Sequence, residues 1–323
     1  MVGTLVWDTI HRRDVRAEPV EEWGGIGYSL EALSAALPEG WRVRPIVKVG
    51  RDLIEPARAY LREIPGVDDG GGVRVVDEPN NRVELNYTDG DRRTEHLSGG
   101  VPPWTAGELR VVVEGCDALY VNFISGFEME LEAARGLREA FDGPIWTDLH
   151  SLFLGVGEEG LRVPRPLAQA GEWFRCFDAV QMNESEFELL GGRGGDPWAL
   201  AARAVGRDLG LVVVTLGAEG AAYLRDAELP RDPMQWRGAW EGLAATRPAL
   251  PGRVGGRVVE GPGDPTGCGD VWGATTFARL LAGDGIDGAI AQANEMAARN
   301  VGHRGAAGLH HHLKGRVDPG GRR

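Results

Sequence analysis

Short apolar runs alternate with amphipathic stretches along most of the chain, and that rhythm limits the fold more than any other feature of the sequence. Residues 118–123, 145–147, 179–182 and 211–215 are mostly apolar and of strand length, the pattern of buried strands. Between them, 128–141, the stretch before Phe177 and 198–209 carry helical spacing. The last of these opens at Asp196-Pro197, a capping residue followed by proline at the first helical position. Residues 2–7 and 42–49 read as further strands, and 29–37, 53–61, 268–281 and 288–302 as further helices. Alternation this regular predicts an α/β fold of parallel strands joined by crossover helices. At 323 residues the chain can hold two domains or one large unit of this kind.

Two stretches break the rhythm. Residues 81–97 alternate with period two around Asp89-Gly90, which is a hairpin signal, with Val83, Leu85 and Tyr87 on one side. A two-stranded hairpin is marginal in water on its own, so this one is expected to be a small antiparallel flap that closes as a lid or pairs with another flap. Residues 226–256 are rich in proline and glycine, carry Trp236 and Trp240, and read as an inserted loop peripheral to the chemistry. The expected division is one domain over 1–313, with lid segments near 11–23 and 76–100, the loop near 226–256, and a flexible tail over 314–323.

Charge narrows the partners. Lys plus Arg is 35 against 48 Asp plus Glu, a formal net charge of −13, which argues against binding a nucleic-acid backbone. Only Lys48 and Lys314 are lysines, and neither sits where a catalytic lysine would be useful. The 3 cysteines, Cys116, Cys176 and Cys268, are too scattered for a disulfide framework or a zinc site. The opening apolar run is too short for a signal peptide, and no stretch reaches the ~20 apolar residues of a membrane span. No membrane partner and a cytoplasmic setting are expected.

The segment richest in chemistry is 261–273, GPGDPTGCGDVWG. Gly267, Cys268 and Gly269 precede a long amphipathic stretch, so their N–H groups should lie at the first turn of a helix. Such a turn has unsatisfied donors and a partial positive charge of about half a unit, which suits an anion. Asp270 falls inside that turn. A carboxylate beside a bound phosphoryl group can accept the proton of an attacking hydroxyl. Taken by itself, Asp270 is read more simply as a partner of the helix dipole.

In Asp264-Pro265-Thr266-Gly267-Cys268-Gly269-Asp270 the chain resembles the ribokinase/PfkB carbohydrate kinase family, whose signature has the form D-T-T-G-A-G-D. Five further matches follow the family's order: Asp8, the pair Gly24-Gly25, Val49-Gly50-Arg51-Asp52, Asn183-Glu184-Ser185-Glu186, and Thr215-Leu216-Gly217-Ala218-Glu219-Gly220. The resemblance spans residues 1–310. It implies a ribokinase-like three-layer α/β/α sandwich with a mostly parallel central sheet and a small β lid. It also implies an ATP-dependent kinase acting on a hydroxyl of a small sugar, polyol or nucleoside. Asp270 would be the general base, with Gly267, Cys268 and Gly269 as the anion hole. Asp8, Gly24, Gly25, Ser29, Asp148 and His150 would face the acceptor. Asn183, Glu186, Thr215, Gly217, Gly220, Asp264, Thr266 and Asn294 would face the nucleotide. Glu186 would reach Mg2+ through water, since that ion tends to keep several of its waters. A monovalent cation such as K+ near the anion hole and a homodimer through the lid are implied as well.

The residues have plainer uses too. Asn183 and Glu186 can simply cap a helix, Gly217 and Gly220 can make an ordinary hairpin turn, and Asp8 can be a solvated loop residue. Two departures from the family pattern fall on the acceptor side. Ser29 stands where the helix after the glycine pair usually presents asparagine, and Asp148-Leu149-His150-Ser151 replaces D-x-N-x-R. They leave room for a second reading, a catalytically silent sugar- or nucleoside-binding regulator on the same fold. No G-x-x-x-x-G-K-[ST] and no G-x-G-x-x-G after the first strand occur, which disfavours a P-loop kinase and a dinucleotide-binding dehydrogenase. The His310-His311-His312 run reads as a tail feature rather than a metal site. At Cys268 the backbone N–H matters more than the side chain, although a helix N-terminus can lower a thiol's pKa and so leaves oxidant sensitivity open.

Overall fold

Chain order already separates a small sheet from a large one. The computed structural model describes residues 1–11, 18–68, 70–87, 93–192, 194–239, 247–259 and 263–315. The Asp89-Gly90 turn, part of the 11–23 lid segment, Trp240, Gly261 and the tail beyond Gly315 lie outside the described residues. Leu5–His11 (β1) and Val20–Gly25 (β2) pair antiparallel. They are followed by Ile26–Ala36 (α1), Val47–Gly50 (β3), Ile54–Glu63 (α2) and Val73–Val76 (β4). Arg82–Tyr87 (β5) and Arg93–Ser98 (β6) form the antiparallel pair expected from the period-two stretch. β5 also runs parallel to β1, giving a four-stranded sheet in the order β2-β1-β5-β6. The hairpin therefore finds its sheet partner within its own chain.

The remaining elements build the body. They are Ala106–Val112 (α3), Leu119–Asn122 (β7), Leu131–Ala140 (α4), Ile145–Asp148 (β8), a short hairpin of Leu154–Val156 (β9) and Arg162–Pro164 (β10), and Ala170–Phe174 (α5). Then come Ala179–Asn183 (β11), Glu184–Leu190 (α6), Pro197–Ala204 (α7), Leu211–Thr215 (β12), Gly220–Asp226 (β13), Ala249–Gly255 (β14), Cys268–Leu281 (α8), Ile286–Asn300 (α9) and Leu309–Leu313 (α10). The six-stranded central sheet has the order β14-β13-β12-β11-β8-β7. β12, β11, β8 and β7 are parallel, while β13 and β14 are antiparallel additions at one edge. Val2 extends the other edge by parallel bridges to Val121 and Ile46.

The strands are covered on both faces, so both parities of each strand are apolar. Leu211 and Val213 of β12 join a core with α1, α8 and α9, whereas Val212 and Val214 join one with α4, α6 and α7. Tyr120, Trp146 and Ala179 fall on the α8 side, and Val121, Ile145 and Val180 on the other. Two helical layers around one sheet make the three-layer α/β/α arrangement, with a small β-sheet beside it.

Three expectations need correction. The first strand is Leu5–His11 rather than 2–7, and it belongs to the small sheet, so Asp8 lies mid-strand opposite Glu22 instead of at the end of a core strand. Val2 bridges to the core sheet at Val121 before the chain crosses over. The span 226–256 is not all loop, because β14 pairs with β13 from Asp226↔Ala249 to Gly220↔Gly255. Pro251 and glycines hide that strand in the sequence, and an edge position tolerates them. The three histidines are not a tail feature: His310 is buried on α10, where it bonds Glu31 of α1.

Trp236, in the connection before β14, is 1% exposed and donates its indole N–H to Pro230 O at 2.7 Å. Trp236→Ala is expected to cost about 3–5 kcal/mol of unfolding free energy by leaving a large cavity. A urea denaturation curve showing a loss under about 1 kcal/mol would contradict this packing role.

Candidate active site

The site arises where one parity of the parallel strands turns polar. On the α8 side, β7 runs from Tyr120 to Asn122, β8 from Trp146 to Asp148, β11 from Ala179 to Gln181, and β12 from Val213 to Thr215. Asn122, Asp148 and Thr215 end their strands and Gln181 lies two residues before the end of β11, on the side where open α/β sheets place their ligands. The first turn of α8 lies over them. Asn122 Nδ2 donates to Asp270 Oδ1 at 2.6 Å, and Gln181 Nε2 donates to Gly269 O at 3.2 Å and to Asp148 Oδ2 at 2.9 Å. Burial, together with the charges of Glu186 and Asp270, pushes the Asp148 carboxyl well above the usual carboxylate range.

Close packing dictates the residues at the α8 N-terminus. Gly267 has φ +76, and a Cβ there would fall 2.3 Å from the Tyr28 ring. The turn before it is tied by Thr266 N donating to Asp264 Oδ1 at 2.9 Å and by Asn300 Nδ2 donating to Thr266 O at 2.8 Å. Cys268 N donates to Pro265 O at 3.1 Å, so that amide is engaged in the turn. The N–H groups of Gly267 and Gly269 have no acceptor among the described residues. Burial pushes the Cys268 thiol up rather than down, and its sulfur sits 3.3 Å from Asn300 Nδ2. Burial thus works against the lowering that a helix end can give a thiol.

On the small-sheet side, Asp8 approaches the glycine pair so closely that a Cβ on Gly24 would fall 1.8 Å from its Oδ2. Gly25 leads straight into α1, where Ser29 is fully buried and donates to the backbone O of Asp270 at 3.4 Å. Where the family resemblance calls for an asparagine on this helix, the structure has Ser29 accepting a hydrogen bond from Asn122 at 3.2 Å. Asp8, Glu22, Asp264 and Asp270 all act on Tyr28, whose hydroxyl is pushed far up, first by burial and then by those charges.

Asn183 and Glu186 form a capping box at the start of α6, with Asn183 N to Glu186 Oε2 at 2.8 Å and Glu186 N to Asn183 Oδ1 at 3.0 Å. The capping use and a ligand-facing use therefore coexist at one place. His150 Nδ1 lies 2.6 Å from Glu186 Oε1, so the histidine and the capping carboxylate are direct partners. Burial disfavours its charge, but the Glu186 carboxylate outweighs that and carries the imidazole up to about 10.

Beside the α8 turn lies a groove of about 500 Å³. Thr215, Gly217, Ala218 and Gly220 form one wall, Val258 and Val259 a second, and Cys268, Gly269, Asn294 and Ala297 a third. Asn294 lines it, yet its side chain accepts from Trp272 Nε1 at 2.7 Å and donates to Gly255 O at 2.9 Å. Asp264 and Thr266 shape the turn and do not line the groove.

The fold recurs in solved structures. A ribokinase from Thermotoga maritima superposes with a TM-score of 0.68 over 97% of both chains at 18% identity. The chain has the ribokinase-like fold. A nucleoside kinase from Burkholderia thailandensis, in complex with inosine, matches 95% of this chain and 91% of its own at a TM-score of 0.69 and 16% identity. A pyrophosphate-dependent kinase in the ribokinase family, complexed with a pyrophosphate analog and myo-inositol, matches 95% and 96% at 0.64 and 18% identity. No family model and no curated protein matches the sequence.

The ribokinase-like fold thus brings Asp8, Gly24, Gly25, Ser29, Asp148, Gly267, Gly269 and Asp270 around one end of α8, with His150, Asn183 and Glu186 at the neighbouring strand ends. Sequence reading missed Asn122 and Gln181. Both occupy the parity that Asp148 and Thr215 share, and that shared parity is the signal that could have found them. No helix among the described residues is long and apolar enough to cross a membrane.

Proposed function

We propose that this chain is an ATP-dependent phosphotransferase that moves the γ-phosphate to a hydroxyl of a small sugar, polyol or nucleoside. The observation that carries the reading is Asp270, fixed in the first turn of α8 next to Gly269, which lines the groove, with the N–H groups of Gly267 and Gly269 bonded to no acceptor among the described residues. Asp270 accepts the proton of the attacking hydroxyl. The N–H groups of Gly267 and Gly269 stabilise negative charge on the transferring phosphoryl group. Asp8, Gly24, Gly25 and Ser29 face the acceptor, and the small sheet covers it and excludes water, which limits hydrolysis of the donor. Thr215, Gly217 and Gly220 hold the donor on the groove side.

The groove favours a nucleotide over pyrophosphate as donor. Its volume of about 500 Å³ and its valine and alanine walls extend well beyond what a phosphate chain would fill. Mg2+ suits the remaining groups. Among the described residues no three His, Cys, Asp or Glu side chains gather as a metal site, and Glu186 has its oxygens bonded to Asn183 and His150. An ion that keeps most of its waters, and reaches Glu186 through one of them, matches that donor set. When bound it would neutralise charge on the donor phosphates. Asn183 and His150 orient the Glu186 carboxylate.

The test is ADP release from MgATP across a panel of sugars, polyols and nucleosides, each against a no-acceptor control. Acceptor-dependent release for at least one class supports the reading. Nucleotide binding with no acceptor-dependent release across the panel would favour the silent regulator, to which the His150–Glu186 pairing and Ser29 lend some weight.

A further inference from the structure

Asn122 holds the carboxylate assigned to proton transfer, yet its own geometry is costly. It ends β7 and is fully buried, and its Nδ2 serves Asp270 Oδ1 at 2.6 Å and Ser29 Oγ at 3.2 Å. Its Oδ1 is buried with no hydrogen-bond partner among the described residues. Turning the amide over would bring that oxygen against the Asp270 carboxylate, so charge fixes the orientation. An orphaned amide oxygen lowers stability. A leucine of similar shape would remove that cost while releasing the two hydrogen bonds that Nδ2 makes, so the orphaned oxygen is the part of the asparagine that stability does not call for.

We propose that Asn122 is a positioning residue that sets the rotamer of Asp270 and favours its ionised form, aiming the carboxylate at the acceptor hydroxyl. The proposal rests on the phosphotransferase reading above. Ser29, accepting from the same amide and donating to the Asp270 backbone, fixes the plane of the Asn122 side chain. Other titratable groups face Asp270. Tyr28 on α1, Tyr120 on β7 and Cys268 on α8 are all pushed up from their ordinary values and stay neutral around pH 7. Asp148 on β8 is also pushed up, but it is common to wild type and variant, so the difference between their profiles reads Asn122.

The experiment compares wild type, Asn122→Leu, Asn122→Asp and Asp270→Asn, using MgATP and whichever member of the acceptor panel turns over fastest. For Asn122→Leu, kcat should fall about tenfold to a hundredfold, as for a misaligned reacting group, with KM changed less than about threefold. Its Tm should stay close to that of wild type, since the gain from removing the orphaned oxygen offsets the lost amide bonds. The acid limb of kcat/KM should move up by about one pH unit once the amide donor is lost. Asn122→Asp sets a second carboxylate against Asp270 and should move that limb further in the same direction. If the leucine variant does not fold, the aspartate variant carries the pH test alone.

A normal kcat with an unmoved acid limb would overturn the proposal. So would a fall in kcat accompanied by a lower Tm and an unmoved limb, the result of a purely structural role. If Asp270→Asn is inactive while Asn122→Leu behaves as wild type, this inference fails alone. If Asp270→Asn is fully active, the phosphotransferase reading fails and takes the inference with it.

Discussion

Asp270→Asn is expected to lower kcat by at least about a hundredfold, the lower end of what a general base contributes. An amide matches the carboxylate in shape, and its oxygen can still accept the hydrogen bond that Asn122 Nδ2 now makes at 2.6 Å. The helix start and the neighbouring amides of Gly267 and Gly269 are untouched, so donor and acceptor affinities should change little. What the amide cannot do is take a proton from an alcohol at neutral pH. A carboxylate that only complements the helix dipole would give a different outcome, a loss of roughly 0.3–1 kcal/mol of stability with turnover intact. Steady-state kinetics and a melting curve on one preparation separate the two.

The second large effect concerns the glycines of the same turn. A Cβ on Gly269 would meet nothing within 4 Å, so Gly269→Ala should fold normally and gain about 0.5–1 kcal/mol from better helix propensity. If a phosphoryl group lies against that backbone, the methyl stands where the ligand must be. Turnover should then fall roughly a hundredfold, comparable to losing an oxyanion donor. Gly267→Ala differs in kind. Its φ of +76 and the Tyr28 ring 2.3 Å from the new Cβ make it damaging to the fold as well. The contrast is the informative result: Gly269→Ala stable and inactive, Gly267→Ala unstable and inactive. A stable Gly269→Ala variant with normal turnover would mean that no ligand approaches that amide.

The body of the fold was legible because its signals are local. Helix α8 begins and ends where the 268–281 periodicity places it, and β12 coincides with the apolar run 211–215. The small sheet was legible only in half. β5 and β6 alternate cleanly, but β1 looks like a core strand in sequence because its apolar residues give no hint of where its partners lie. Its pairing is set by β2, 20 residues away along the chain for Leu5↔Gly25, and by β5 much further on. β14 was hidden by Pro251 and its glycines, which only the freedom of an edge strand allows.

The site shows the same division. Asp270 and the glycines stand out because a helix start of that composition has few uses. Asp8 and Gly24 were singled out separately, and their near contact is a product of the β1–β2 pairing. Asn122 and Gln181 carry no motif, and only the register of four parallel strands turns them toward α8. His150 follows β8, and the pairing of β8 with β11 brings it to Glu186, a contact no sequence motif announces. Long-range pairing, rather than residue type, decided each of these.

The central claim is transfer of a phosphoryl group to an alcohol, and the most direct measurement follows the group itself. ATP labelled with 18O in its γ-phosphate, Mg2+ and the panel acceptors are incubated with the wild-type protein, and the products are weighed by mass spectrometry. The account predicts an acceptor carrying the labelled phosphoryl group, formed at least about a hundredfold more slowly by Asp270→Asn. Label found only in inorganic phosphate, or an acceptor product formed equally fast by Asp270→Asn, would contradict it.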